Sequence, residues 1–179
     1  KKTEHDGNQL IIHQNLVFNK ITNQLRLLEK TKLKNSEIAD SINSCRTGLE
    51  RVYQLIDLES IMGIEGRVSK SFFLEYYRKF DWHGRYPRTK ADPLNTTLDI
   101  GYTILFNYIE ANTRLFGFDP YIGVYHRLWF RRKSLICDLM EPFRCIIDQA
   151  IRKSFNNKQF KYEDFKKSDK QFFLKPEKN

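Results

Sequence analysis

The chain has 179 residues, 40% apolar and 14% aromatic, enough to bury one hydrophobic core and too much for most of the length to be disordered. Eight glycines and five prolines are too few for the turn-dense pattern of a sandwich or barrel, and no apolar run approaches the ~20 residues that span a bilayer. The net charge of +9 points to a polyanionic partner, nucleic acid before membrane.

In chain order, Leu16, Ile21, Leu25 and Leu28 recur at helical spacing and predict an amphipathic helix from Asn15 to about Lys30. A second helix starts at Ser36 and carries Ile38, Ile42, Leu49, Val52, Leu55 and Ile56 to about Leu58, forming a hairpin with the first. A third opens at Glu65, between Gly63 and Gly66, and runs to about Phe80 with Val68, Phe72, Phe73, Tyr76 and Tyr77. The glycines on either side of the carboxylate leave room for backbone or ligand to approach. Residues 81–93 form a basic, aromatic-bearing loop kept irregular by two prolines and a glycine.

Asp92-Pro93 starts a fourth helix that ends near residue 115, and Asp119-Pro120 starts a short one delivering His126. A cationic run follows, Arg127, Arg131, Arg132 and Lys133, and then a helix with Ser134 as its N-cap. That helix sets Leu135, Leu139, Phe143, Ile146, Ile147 and Ala150 on one side, with Asp138 and Glu141 on a flank away from the stripe's centre, and Pro142 kinks it. Beyond Asn156 periodicity weakens. Tyr162–Lys170 reads as one more helix before a frayed end, and no strand stands out. Residues 151–179 hold nine Lys and Arg against four acids. The expected fold class is all-α, a single helical domain.

Glu65, His126, Asp138 and Glu141 fall at helix starts, ends or flanks, where a bundle brings separate segments together. Carboxylates with an imidazole suit Mg²⁺ or Mn²⁺, and the neighbouring arginines suit a phosphate backbone. Taken singly these residues have blander roles: an acid favoured near a helix start, a satisfied histidine, surface ion pairs. His5, His13 and His83 carry no pattern. Cys45, Cys137 and Cys145 lack paired or zinc-type spacing and read as reduced, packed thiols. Residues 1–8 lack the apolar segment of a signal peptide, so the expected location is cytoplasmic.

An ordered set of short motifs decides between these readings: Ile64-Glu65-Gly66, Trp82-His83-Gly84-Arg85, Asp92-Pro93-Leu94-Asn95 with Gly101-Tyr102, Gly117-Phe118-Asp119-Pro120 with Gly123-Val124-Tyr125-His126, and Ser134 through Arg144. Over about residues 15–155 the chain closely resembles the CRISPR-associated integrase and endonuclease family, Cas1. The resemblance implies the family's α-helical catalytic domain. It implies a divalent metal, Mg²⁺ or Mn²⁺, on Glu65, His126 and Glu141, with Asp138 as a further catalytic carboxylate. The implied reaction is prokaryotic spacer acquisition: a spacer 3′-hydroxyl is joined to the CRISPR leader–repeat by transesterification. Trp82, Arg85, Arg88 and Asn95, with Arg127, Arg131, Arg132 and Lys133, become the expected DNA contacts.

Expected partners are DNA, as spacer precursor and leader–repeat, a homo-oligomer (dimer or higher), and the small Cas2 subunit, with no membrane. The family's N-terminal β-rich domain is expected to be lacking, with residues 1–14 a remnant of the interdomain hinge, 15–155 the catalytic domain and 156–179 a basic tail. The competing expectation is a non-catalytic helical DNA-binding or scaffold subunit of an adaptation complex, motivated by the charge and the missing domain.

Overall fold

The structure, a computed structural model, describes residues 2–31, 35–80, 82–124 and 132–176, with side chains from residue 7 onward. Three long helices form its first layer: α1 (Lys2–Glu29), α2 (Ser36–Val52) and α3 (Leu58–Tyr77), each packed on the other two. Asn35 caps α2 by accepting from Ile38 N at 2.9 Å, and Asp57 caps α3 by accepting from Ser60 N at 2.8 Å. Helix α1 begins well before Asn15, and the second helix stops at Val52 instead of Leu58. Glu65 consequently lies two turns inside α3, not at its opening.

The second layer is α4 (Pro93–Leu115), α5 (Ser134–Met140) and α6 (Arg144–Asn156). Asp92 caps α4 through Asn95 N at 2.7 Å, and Pro93 takes the first position, where its missing N–H costs nothing. Gly101 lets α6 approach closely, since a Cβ there would stand 2.5 Å from Ile147 Cγ2. The short helix expected at Asp119-Pro120 is a turn, with Asp119 Oδ1 accepting from Tyr121 N at 2.9 Å.

The expected kink is a full break. A 3-10 turn at Glu141–Phe143 separates α5 from α6, because Pro142 has no N–H to continue the ladder. Asn23 of α1 donates to the Pro142 carbonyl at 2.9 Å and fastens the break to the first layer. Ser134 is the first residue of α5, and the N-cap position falls to Lys133.

Two expectations about this half of the chain need correction. The inward face of 134–156 is not the apolar stripe. Ile136, Asp138, Met140, Glu141, Cys145, Asp148 and Ile151 are buried, while Phe143 and Ile146 are 49% and 61% exposed. Acids face inward because buried cations and phenols await them. Nor do residues 162–174 form a helix. After a 3-10 turn at Tyr162–Asp164 come β1 (Phe165–Ser168) and β2 (Gln171–Leu174), an antiparallel hairpin turning at Asp169 and Lys170. Phe172 N donates to Lys90 O at 2.9 Å, and Phe172 O accepts from Thr96 Oγ1 at 3.0 Å. The hairpin is thus seated on α4 and the loop before it. Helices otherwise make up the fold, and none among the described residues is long and apolar enough to cross a membrane.

Candidate active site

Four charged side chains from four segments meet between the layers. Lys20 of α1 donates its ammonium to Glu65 Oε1 on α3 and lies 2.6 Å from Glu141 Oε2 in the 3-10 turn. Arg144, at the start of α6, reaches the same Glu141 oxygen with Nε at 2.9 Å. Ser69, one turn beyond Glu65, donates to Glu65 Oε1 at 2.9 Å, and Gln24 donates to Ser69 Oγ at 3.2 Å. Two carboxylates and two cations leave the cluster neutral. Burial works against the charge on Lys20, Glu141 and Arg144, but the neighbours outweigh it. Against its own burial, Glu141 is held at about 2 by Lys20 and Arg144, and Lys20 is raised by Glu141 and Glu65.

Asp138 is buried one turn before Glu141, and its Oδ2 accepts from Val124 N at 2.7 Å. Gly123 makes this approach possible: a Cβ there would sit 2.5 Å from Ser134 Cβ and 2.8 Å from Asp138 Oδ2. Leu135 N also donates to Pro120 O at 3.0 Å, so residues 120–124 are drawn onto α5 at two points. His126, Arg127 and Arg131 lie outside the described residues.

The loop residues expected to touch DNA divide in two. Trp82 is 8% exposed, packed edge-on to Tyr77 and Phe73, with Nε1 donating to Asp92 Oδ2 at 3.2 Å. Asn95 is fully buried and ties the loop together: it accepts from Arg85 Nη1 at 3.0 Å and Tyr86 N at 2.9 Å and donates to Gly84 O at 3.0 Å. Arg85 is spent on Asp99, 2.6 Å away, and on the Tyr102 ring. These three hold the loop's shape. Their polar and aromatic character reads as a contact surface in sequence, but each has its partners inside the protein. Lys133 is engaged by Glu110 at 2.7 Å, whereas the side chains of Arg88 and Arg132 are exposed.

The family model described as CRISPR associated protein Cas1 matches residues 1–179. The chain belongs to the Cas1 family. A CRISPR-associated endonuclease Cas1 of Leptospira interrogans is 31% identical over 188 residues, covering 97% of this chain and 74% of the relative. One from Thermodesulfovibrio yellowstonii is 36% identical over 118 residues, 64% of this chain, and of that relative only 37% is spanned. Among solved structures, a chain of a Cas6-RT-Cas1–Cas2 complex superposes with a TM-score of 0.86 at 25% identity, covering 94% of this chain and 20% of its own. A Cas1 protein from Thermotoga maritima matches at 0.77 and 22% identity over 98% of this chain and 57% of its own, a likeness of fold.

Within this Cas1 chain, no group of three or more His, Cys, Asp or Glu converges as a metal site among the described residues. Glu65 and Glu141 nevertheless bring an oxygen each to one ammonium. Carboxylate oxygens gathered around a single positive centre fit a hard divalent cation such as Mg²⁺ or Mn²⁺. The buried thiols offer no rival chemistry: Cys45 is pushed up to about 12 by burial, and Cys145 higher still.

Sequence reasoning missed Lys20 and a neighbouring cluster. Asp148 of α6 is buried, accepting from the Tyr102 hydroxyl at 2.5 Å, and its backbone carbonyl accepts from the Tyr77 hydroxyl at 3.0 Å. The Arg144 guanidinium lies 4.8 Å from the Tyr102 ring centroid, linking this cluster to Glu141. The available signal was polar residues in an apolar register: Lys20 and Gln24 fall in the stripe of Val17, Ile21 and Leu28.

Proposed function

We propose that this chain is a divalent-metal-dependent DNA integrase and endonuclease of CRISPR adaptation, with Glu65, His126 and Glu141 as metal ligands. The observation that carries the reading is the convergence of Glu65 and Glu141, 76 residues apart in sequence, on one cationic centre. Asp138 supports it by holding Val124, two residues before His126, one turn from Glu141. Bound there, Mg²⁺ or Mn²⁺ would supply Lewis-acid polarisation of the scissile phosphate. Arg144 keeps Glu141 ionised as a ligand, Ser69 orients Glu65, and Asp138 positions the chain leading to His126. In the reaction the spacer 3′-oxygen forms a bond to phosphorus while the bond to the leaving 3′-oxygen breaks, and the proton lost by the first oxygen is gained by the second. The number of phosphodiester bonds is unchanged.

Arg88 and Arg132, both exposed, would hold the flanking backbone, with Arg127 and Arg131 close to Arg132 in sequence. Cas2, a second copy of the chain, and a prokaryotic cytoplasmic setting follow from the same reading. Glu65→Ala should lower Mn²⁺-dependent strand transfer on a leader–repeat duplex by at least ~100-fold while DNA binding persists. Transfer that survives Glu65→Ala would leave a binding or scaffold role. Neutralising Arg88 and Arg132 together should weaken DNA binding and flatten its salt dependence by a slope of about 2 in log–log terms. Unchanged affinity and slope would remove both from the DNA path.

A further inference from the structure

Lys20 has no part in the expected metal set, yet its ammonium lies between two members of it, Glu65 and Glu141. A lysine with only 10% of its side chain exposed is costly to bury unless its charge is met, and here it is met by the two carboxylates assigned to the metal. We propose that Lys20 is the resident counter-ion of Glu65 and Glu141, exchanged for the divalent cation when the site loads, and that the released ammonium turns to the substrate phosphate. The inference rests on the reading of Glu65 and Glu141 as ligands.

Three features support exchange over a fixed structural pair. Glu141 Oε2 is shared by Lys20 and Arg144, so it keeps one counter-ion when the lysine leaves. An ammonium within 2.6 Å of a carboxylate oxygen cannot stay there when a divalent cation takes that oxygen, since the two cations repel strongly at such range. The Arg144 guanidinium is also held 4.8 Å from the Tyr102 ring centroid, so of the two cations the lysine, a point charge on a flexible stem, is the one to move.

Charge counting agrees. Glu65, Glu141, Lys20 and Arg144 sum to zero. Adding a divalent cation leaves +2 if the ammonium stays in the cavity. A phosphodiester brings −1, and the five-coordinate phosphorus formed by an attacking alkoxide carries −2. The loaded site with its lysine therefore matches the reacting phosphate better than the resting one.

The test is Mn²⁺ binding to the intact chain, read by electron paramagnetic resonance without DNA, for wild type, Lys20→Met, Lys20→Gln and Glu65→Gln. If the ammonium competes, Lys20→Met and Lys20→Gln bind Mn²⁺ on the order of tenfold more tightly than wild type. At saturating Mn²⁺ the same variants transfer strands more slowly. Equal or weaker Mn²⁺ binding in both, with wild-type binding still lost in Glu65→Gln, overturns the exchange while leaving the metal site standing. Binding that is absent from wild type, or indifferent to Glu65→Gln, overturns the site and the exchange together. Tighter binding with an undiminished transfer rate overturns the turn toward phosphate. Should both Lys20 variants fail to fold, the ε-nitrogen signal of Lys20 in ¹⁵N-lysine wild-type protein decides: it shifts as Mg²⁺ is added, and a signal that stays put refutes the proposal.

Discussion

Glu141 and Asp148 are buried carboxylates seven residues apart on consecutive elements, and they are pushed in opposite directions. Burial raises both. Around Glu141 stand two full positive charges, Lys20 and Arg144, and its carboxyl is held at about 2. Asp148 receives phenolic hydroxyls from Tyr77 and Tyr102, whose hydrogen bonds only soften the burial, and it rises to about 6. Glu141 is kept ionised by the cations that touch it. Asp148, which staples three helices, takes its direct hydrogen bonds from neutral phenols, and Arg144, Lys20 and Arg85 offset its burial only in part. The sign of the shift follows whether full charges or neutral donors touch the buried acid, where burial alone does not decide it.

The largest test of this contrast removes the residue the clusters share. Arg144→Met deprives Glu141 of a counter-ion and uncovers the Tyr102 ring, and should cost about 3–5 kcal/mol in urea unfolding. A loss below ~1 kcal/mol would mean that the guanidinium is no integral part of the buried pair.

Next in size is a pH effect. An unfolded Asp148 releases its proton near 3.8, and the folded one holds it to about 6. Between these values the folded state binds the extra proton, so stability from this residue falls as pH rises and the full loss is present above 6. Glu141 has the opposite sign, contributing stability above its ordinary 4.5 that is lost as pH falls toward 2. Asp148→Asn should therefore gain on wild type by up to ~3 kcal/mol between pH 4 and pH 7, whatever constant offset the amide introduces. A difference independent of pH would contradict the assignment.

The smallest effect concerns the open side of Glu65. A Cβ added at Gly66 meets nothing within 4 Å, so Gly66→Ala should stabilise α3 by up to ~1 kcal/mol in thermal unfolding. If DNA approaches Glu65 from there, the same variant binds it more weakly. Full affinity would place the approach elsewhere.

Much of the fold was legible. Proline and aspartate punctuation fixed α4 and the break at Pro142, and the hydrophobic period of α3 matched its buried Val68, Phe72, Tyr76 and Tyr77. The pairing of Glu65 with Glu141 came from family motifs, because no local rule joins residues that far apart. Lys20 went unseen because a lysine in an amphipathic helix reads as solvated, and only tertiary packing supplies the acids that let it turn inward. Packing reversed the face of α6 for the same reason. The hairpin left little trace: β1 reads Phe165-Lys166-Lys167-Ser168 and β2 Gln171-Phe172-Phe173-Leu174, without alternation, and its turn uses Asp169-Lys170 at positive φ where glycine usually gives the signal.

That hairpin sets a limit on the loop it touches. Two strands of four residues are barely stable alone, and only Phe165 among the hairpin's strand residues is buried, so a native protein opens such a segment locally at low cost. Phe172 grips Lys90 and Thr96 together, so a transient lifting of the chain's last strand frees the end of the 82–92 loop in the same event. Amide hydrogens on either side of this junction belong to one exchanging unit, with a lifetime set by the hairpin and not by the helices around it.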